Sequence, residues 1–115
     1  MKIFTAWRKV RDFERGRMPF LRSVIDFDIV IDIGYAEEQE KPLTLKQLLL
    51  LIPSSRTTVR RRLARLIEQG IVMQKKNASD QRSTLLTISS PSLKLFGKYA
   101  STISGAFTIP LPAAG

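Results

Sequence analysis

Apolar residues recur at helical spacing close to the N-terminus. Ile3, Trp7 and Val10 follow one another at steps of four and three, and Pro19 comes soon after them. An α-helix places such positions on one face, and a proline ends a helix. The pattern therefore predicts an amphipathic helix over residues 2–15.

The apolar pattern of residues 20–39 is compatible with two structures. Residues 25–29 read Ile-Asp-Phe-Asp-Ile and alternate as a strand does, whereas the wider spacing of apolar residues suits a helix. We favour a helix because the alternation ends in three consecutive apolar residues at 29–31 and no turn signal appears before Pro42. A strand is the competing interpretation.

Two helices are predicted in the middle of the chain. Thr44 and Gln47 have the spacing of a capping box and precede a run of leucines. Pro53 ends this short helix, and Ser54 or Ser55 caps the next one, which leaves a connection of about three residues. Two helices joined this tightly form a helix-turn-helix unit.

The second of these helices is predicted over residues 55–69. Val59, Leu63 and Leu66 form one apolar stripe, and Gly70 is the residue type that commonly follows a helix C-terminus. The stripe predicts that one face of this helix packs on a core.

A β-wing is predicted next. Residues 71–76 and 84–89 read as strands, and the polar residues 77–83 between them have the composition of a hairpin tip. Ser90 and Pro91 are expected to cap and open a last helix of about fourteen residues.

The predicted fold class is mostly α with a small β-hairpin wing, a winged helix-turn-helix. A chain of 115 residues is long enough for one modest core. We expect a short N-terminal helical segment at 1–19, the winged helix-turn-helix domain at 20–104, and a flexible tail at 105–115.

Positive charge is concentrated in the later part of the chain. The net charge is +9; residues 1–40 carry seven Lys or Arg against eight Asp or Glu, whereas residues 41–115 carry twelve against two. Such an asymmetry indicates a polyanionic partner.

Cysteine and histidine are both absent. Disulfides, Cys/His zinc sites and thiol or imidazole catalysis are therefore excluded, and Asp28 and Asp32 have the spacing of solvated neighbours on a helix. We expect no enzyme activity, no cofactor and no metal site. The apolar runs are shorter than the ~20 residues of a membrane helix and charges precede any signal-peptide core, so we expect a cytoplasmic protein without membrane contact.

The helix at 55–69 carries five arginines and no acidic residue between positions 56 and 65. At about 100° per residue, Arg61 lies almost opposite the apolar stripe, with Thr57 and Arg65 beside it. One face is suited to a core and the other to an anion, which is typical of a DNA-recognition helix. An ordinary basic surface helix is the alternative interpretation.

The order of elements and several motifs resemble the winged helix-turn-helix domain of bacterial MarR-type transcriptional regulators. Residues 43–48 look like the start of the helix that precedes the family's recognition helix, 58–63 are similar to that recognition helix, and 66–72 to its exit into the wing. Residues 80–82, Asp-Gln-Arg, match the wing's Asp-x-Arg. The likeness covers residues 43–90.

The resemblance implies that the partner is double-stranded DNA. It also implies that Arg82 enters the minor groove, oriented by a charge-assisted bond that its guanidinium group donates to Asp80. A homodimer is a further implication, although only 19 residues precede Phe20 and one helix follows the wing, where the family has long interlocking helices. No residue pattern identifies a small-molecule effector site.

The residues assigned to DNA fall into groups by their place on the helix and the wing. Those expected to read bases in the major groove are Arg56, Thr57, Thr58 and Arg61. Those expected at phosphates are Arg60, Arg62, Arg65, Lys75 and Lys76. The residues expected mainly as N-caps, with a second role at phosphate, are Ser54 and Ser55.

Some of these arginines have a structural alternative. Arg60 or Arg62 could fold back against Glu68 or the helix that is predicted to begin at Phe20. The aromatic residues are spread over the predicted helices, which is typical of a core and not of a stacking platform for RNA: Trp7, Phe13, Phe20, Phe27, Tyr35, Phe96 and Tyr99.

We therefore expect a DNA-binding transcriptional regulator. Residues 55–69 would read the major groove of duplex DNA and the wing, 77–83, the minor groove. Two other functions fit the same surface: binding of DNA or RNA without sequence preference, and a protein-interaction module whose arginines engage an acidic partner.

Overall fold

The computed structural model describes residues 2–80 and 82–108. Five helices and one antiparallel hairpin follow one another in the order α1 (Ile3–Arg17), α2 (Val24–Glu38), α3 (Leu45–Leu51), α4 (Arg56–Glu68), β1 (Val72–Lys76), β2 (Thr84–Ile88) and α5 (Ser90–Ala106). This order confirms the predicted winged helix-turn-helix.

The chain divides into two compact units. One is formed by the described parts of residues 1–19 and 93–115, and the other by residues 20–92. The helix-turn-helix and the wing lie entirely within the second unit, which is called the winged unit below.

Helix α2 resolves the ambiguity between helix and strand in favour of a helix. It begins at Val24, four residues later than predicted, because Ser23 and Asp26 form a capping box. The Asp26 side chain accepts the backbone N–H of Ser23 at 3.0 Å, and the Ser23 hydroxyl accepts that of Asp26 at 3.4 Å. The spacing of Ser23 and Asp26 was the sequence signal for this boundary.

The two central helices have the predicted termini. Thr44 and Gln47 form the capping box that begins α3. Gly70, with φ +74°, follows α4, and the N–H of Ile71 donates to the Leu66 carbonyl at 2.9 Å. This left-handed glycine is the residue that the Schellman motif at a helix C-terminus requires.

The wing is a regular hairpin that also pairs with the segment before α3. Val72 lies opposite Ile88 and Lys76 opposite Thr84. In addition, Thr44 forms an isolated antiparallel bridge with Leu85. This bridge joins the first part of β2 to the start of the helix-turn-helix, and no pattern in the sequence predicts it.

The core of the winged unit brings together the apolar stripes of α2, α3 and α4 with the inner side of the hairpin. Its most deeply buried side chains are Ile29, Ile33, Leu48, Val59, Leu66, Val72 and Leu86. Burying one such side chain stabilises the fold by about 1.5–3 kcal/mol before entropy is counted. Glu37 ties α2 to β2, because its carboxylate accepts the Ile88 N–H at 2.9 Å.

The other unit contains α1 and residues 93–106 of α5. The rings of Phe13 and Tyr99 stack with their centroids 5.8 Å apart, and the Tyr99 hydroxyl donates to the Glu14 carboxylate. The Trp7 and Phe107 rings meet edge to face at 4.8 Å. The stacking of Phe13 on Tyr99 agrees with the expected packing role of these two residues.

Several sequence predictions need correction. Helix α5 is capped by Ser89 and not by Ser90, because the Ser89 hydroxyl accepts the Ser92 N–H at 3.4 Å. The helix runs to Ala106, two residues into the predicted tail, and residues 109–115 of that tail lie outside the described residues. Trp7 and Tyr35 were expected in a core, but both are more than half exposed.

Candidate nucleic-acid interface

Helix α4 has two faces of opposite character. Val59, Leu63 and Leu66 are buried in the core of the winged unit. The side chains of Arg56, Thr57, Arg60 and Arg61 are exposed. The predicted amphipathic helix is therefore present, and the exposed face carries three guanidinium groups.

The N-terminus of α4 is capped by Ser55. Its hydroxyl oxygen accepts the N–H of Thr58 at 3.1 Å, and the hydroxyl groups of the two residues lie 2.8 Å apart. The Thr58 hydroxyl is thus part of the cap. Ser54 is half-buried, and its backbone N–H donates to the Ile52 carbonyl at 2.8 Å.

Two arginines of α4 turn towards α2. The Arg62 Nη1 atom lies 3.4 Å from Oδ2 of Asp26, and the Arg65 Nη2 atom lies 3.8 Å from the same oxygen. Arg65 Nη2 also donates to the Phe20 carbonyl at 2.9 Å. The fold-back interpretation therefore holds for Arg62, with Asp26 and not Glu68 as its partner.

Asp26 is a residue that the sequence reading missed. It is fully buried, and its Oδ2 atom also accepts the backbone N–H groups of Arg22 and Ser23. A buried carboxylate is stable only when it is paired and hydrogen-bonded. Asp26 therefore links the start of α2 to the middle of α4.

A basic groove runs between α3, α4 and the wing. Its volume is about 600 Å³. Leu49, Leu63 and Leu86 belong to its apolar lining, and its cationic lining residues are Lys46, Arg56, Arg60 and Arg82. The structure thus brings the start of α4 and the wing arginine to one groove. Lys46 was not assigned to the site from the sequence, and the structure adds it to the groove.

The tip of the wing differs in one detail from the expectation. The Asp80 carboxylate accepts the backbone N–H of Arg82 at 3.0 Å. The expected charge-assisted bond to the Arg82 side chain is therefore wrong: Asp80 shapes the turn, and the exposed Arg82 guanidinium lines the basic groove. An aspartate two residues before its partner readily forms this local turn.

Lys75 and Lys76 end strand β1 and are both exposed. They lie opposite Leu85 and Thr84. Their ammonium groups extend the positive surface along the wing.

Other kinds of site find no support in the part of the chain that the structure describes. Within residues 2–80 and 82–108, no three His, Cys, Asp or Glu side chains come together in a way that could hold a metal ion. In the same ranges, no helix has the length and apolar character needed to cross a bilayer.

The winged unit and its flanking helices have the winged helix fold of MarR-type transcriptional regulators. MepR of S. aureus in complex with DNA superposes with a TM-score of 0.68 at 15% identity, over 85% of this chain and 75% of that chain. A mutant MarR of E. coli bound to operator DNA gives 0.60 at 16% identity, over 90% of this chain and 71% of that chain.

A third structure has the same fold. The transcriptional regulator Tm0710 of Thermotoga maritima superposes with a TM-score of 0.64 at 18% identity, over 86% of this chain and 67% of that chain. No protein-family model matches the sequence, and no curated protein sequence matches it either. The resemblance in the motifs is therefore confirmed at the level of the fold.

Proposed function

We propose that this protein is a transcriptional regulator that binds duplex DNA, with α4 in the major groove and the wing in the minor groove. The observation that carries the proposal is the exposed surface of α4, where Thr57 and Arg61 lie opposite the buried stripe and Arg56 is exposed at the start of the helix. A major groove admits one such helix, and arginine can bind the O6 and N7 atoms of guanine with both ends of its fork.

The roles within the interface follow from exposure and partners. Arg56, Thr57 and Arg61 are the base readers, and the Thr58 hydroxyl serves the cap while its methyl group can touch a base. The groups proposed at phosphates are Arg60, Lys46, Lys75 and Lys76. Ser54 and Ser55 present the α4 N-terminus to a phosphate.

The wing arginine has a different role. Arg82 is proposed to enter the minor groove, where the negative potential of a narrow groove attracts a guanidinium group. The Asp80 carboxylate accepts the backbone N–H of Arg82, which ties this residue to the start of the turn. Two fold neighbours are DNA complexes, MepR with DNA and MarR with operator DNA, which supports the same partner for this chain.

The proposal is tested by a salt titration of binding to pooled random duplex DNA, single-stranded DNA and duplex RNA. Wild type is compared with Arg61→Ala, Arg82→Ala and the control Lys41→Ala, which removes one positive charge outside the proposed interface. We expect tight duplex-DNA binding that weakens steeply with salt, and a loss of about tenfold in the Arg61 variant.

Absence of binding, or equal binding to all three nucleic acids with no effect of either arginine substitution, would exclude a groove-reading regulator. Retained capture of an acidic protein by the same arginines would then favour the interaction module.

We also propose that the functional species is a homodimer. Helix α1 exposes three large apolar side chains, Ile3, Phe4 and Trp7, and Phe4 is 82% exposed. Exposed apolar clusters of this kind mark protein–protein contacts.

A further inference from the structure

Four arginines line one depression on the winged unit, and one of them was not expected in the interface. The residues are Arg22, Arg61, Arg62 and Arg65, and the depression has a volume of about 390 Å³. We call it the arginine pocket. Arg22 precedes α2, whereas the other three belong to α4, so the pocket exists only because these two helices pack together.

The positive charge of the pocket is balanced only in part. Asp26 supplies one carboxylate, and its Oδ2 atom lies near Nη1 of Arg62 and Nη2 of Arg65 at 3.4 and 3.8 Å. Four guanidinium groups and one carboxylate give these five side chains a net charge of +3. Such a surplus in a concave, partly desolvated place favours an anion.

Arg62 and Arg65 are held by Asp26, and their side chains are still partly exposed. The side chains of Arg62 and Arg65 are 28% and 24% exposed, and their Nε atoms are buried with no hydrogen-bond partner in the described part of the chain. A guanidinium group fixed on one side by a buried carboxylate retains donors for a second oxyanion on its other side.

We propose that the arginine pocket binds a backbone phosphate of duplex DNA through Arg62 and Arg65, while Arg61 remains a base reader. Arg22 is an additional contact to this phosphate, and Asp26 is a positioning residue for Arg62 and Arg65. The proposal rests on the proposed function. It assigns these two arginines to a phosphate in spite of their bonds to α2, because those bonds orient their forks. Fork-shaped donors bind phosphate oxygens in pairs.

The first test compares Arg22→Ala with Lys41→Ala in duplex-DNA binding over a range of salt concentrations. Both substitutions remove one positive charge from an exposed residue, at opposite ends of α2. We expect the slope of log Kobs against log salt to become shallower by about 0.9 and the affinity to fall about tenfold at low salt for Arg22→Ala only.

The second test uses Asp26→Asn, whose amide oxygen can still accept the backbone N–H groups of Arg22 and Ser23. The substitution makes the protein more positive, so charge alone predicts tighter DNA binding. Positioning predicts weaker binding with a shallower salt slope, because Arg62 and Arg65 lose their orientation. A melting curve shows whether Asp26→Asn is folded. If it is not, the comparison of Arg22→Ala with Lys41→Ala decides whether the pocket binds a phosphate.

The outcomes separate the pocket from the proposed function. If wild type binds duplex DNA with a steep salt dependence while Arg22→Ala and Lys41→Ala have equal slopes of log Kobs against log salt, the pocket proposal is overturned and the regulator function stands. If wild type does not bind duplex DNA, both fail. The last experiment measures whether inorganic phosphate, added at constant ionic strength, raises the melting temperature of the protein. Stabilisation of wild type but not of Arg22→Ala by phosphate, with an unchanged DNA slope, would assign the pocket to a free anion and overturn the DNA contact.

Discussion

Residues of one type have different environments along α4. Arg56, Arg60 and Arg61 are exposed, whereas Arg62 and Arg65 pair with the buried Asp26. Helical periodicity alone distinguishes the core face from the rest of the helix, because every arginine prefers water to an apolar core. Which arginines are held and which are free to approach a ligand depends on the carboxylate that another helix supplies.

At the residue scale, Asp32 provides a pH-dependent prediction. Burial, and then the charge of Asp28 one turn earlier, raise the pKa of the Asp32 carboxyl group above its ordinary value of 3.8. The folded protein therefore holds this proton more tightly than the unfolded chain. The resulting stability is fully present below pH 3.8 and is lost as the pH rises through the folded-state pKa.

We expect Asp32→Asn to raise the melting temperature at pH 7, because the amide removes a charge that the fold disfavours. The gain should disappear near pH 3, where Asp32 is protonated in both states. Thermal unfolding followed by circular dichroism at the two pH values checks this. A gain of equal size at both pH values would mean that the effect is not due to ionisation.

At the element scale, two helices end in the same motif with different residues. After α4, Gly70 has φ +74°; after α2, Glu40 has φ +59°. The Lys41 N–H donates to the Ala36 carbonyl at 3.0 Å, as the Ile71 N–H does to that of Leu66. A side chain in the left-handed region costs about 1–2 kcal/mol, so α2 ends with a strained residue where α4 ends without strain.

We expect Glu40→Gly to raise the free energy of unfolding by about 0.5–1 kcal/mol, since relief of strain is partly offset by the greater freedom of glycine in the unfolded chain. Urea denaturation measures the change. The matched control is Glu40→Ala, which removes the same carboxylate but keeps the Cβ atom. An equal gain in both variants would attribute the effect to the charge and not to the backbone.

At the scale of the whole molecule, the apolar surface of α1 bears on oligomeric state. Ile3, Phe4 and Trp7 are exposed near one end of the helix, although Trp7 also packs on Phe107. The proposed homodimer would bury these side chains. A symmetric dimer presents two recognition helices, so its binding site would be palindromic, with half-sites about one or two helical turns apart.

We expect Phe4→Glu to convert the homodimer to a monomer in sedimentation velocity, because a charge would have to be buried in the interface. Thr5→Glu is the control, since it introduces the same charge at the neighbouring exposed position. The DNA footprint of the Phe4 variant should shorten to one half-site. A monomeric wild type with a single short footprint would contradict the proposed dimer.

Local signals in the sequence were sufficient to predict the winged helix-turn-helix and most of its boundaries. The capping box of Thr44 and Gln47, the apolar stripe of α4 and the glycine at position 70 each act within one or two turns of the chain. Such short-range patterns are present in the sequence itself, so the element order and the exposed arginine face of α4 could be predicted.

The tertiary structure decided what lies between elements. The contact of Asp26 with Arg62 joins residues 36 positions apart, and the bridge of Thr44 with Leu85 joins the wing to the helix-turn-helix. No periodicity encodes these pairs, because they depend on the angle and register at which the elements pack. The sequence by itself therefore determined the helices, the wing and the basic face, whereas the packing of α2 on α4 decided which arginines are held by Asp26 and brought Arg22 to the pocket.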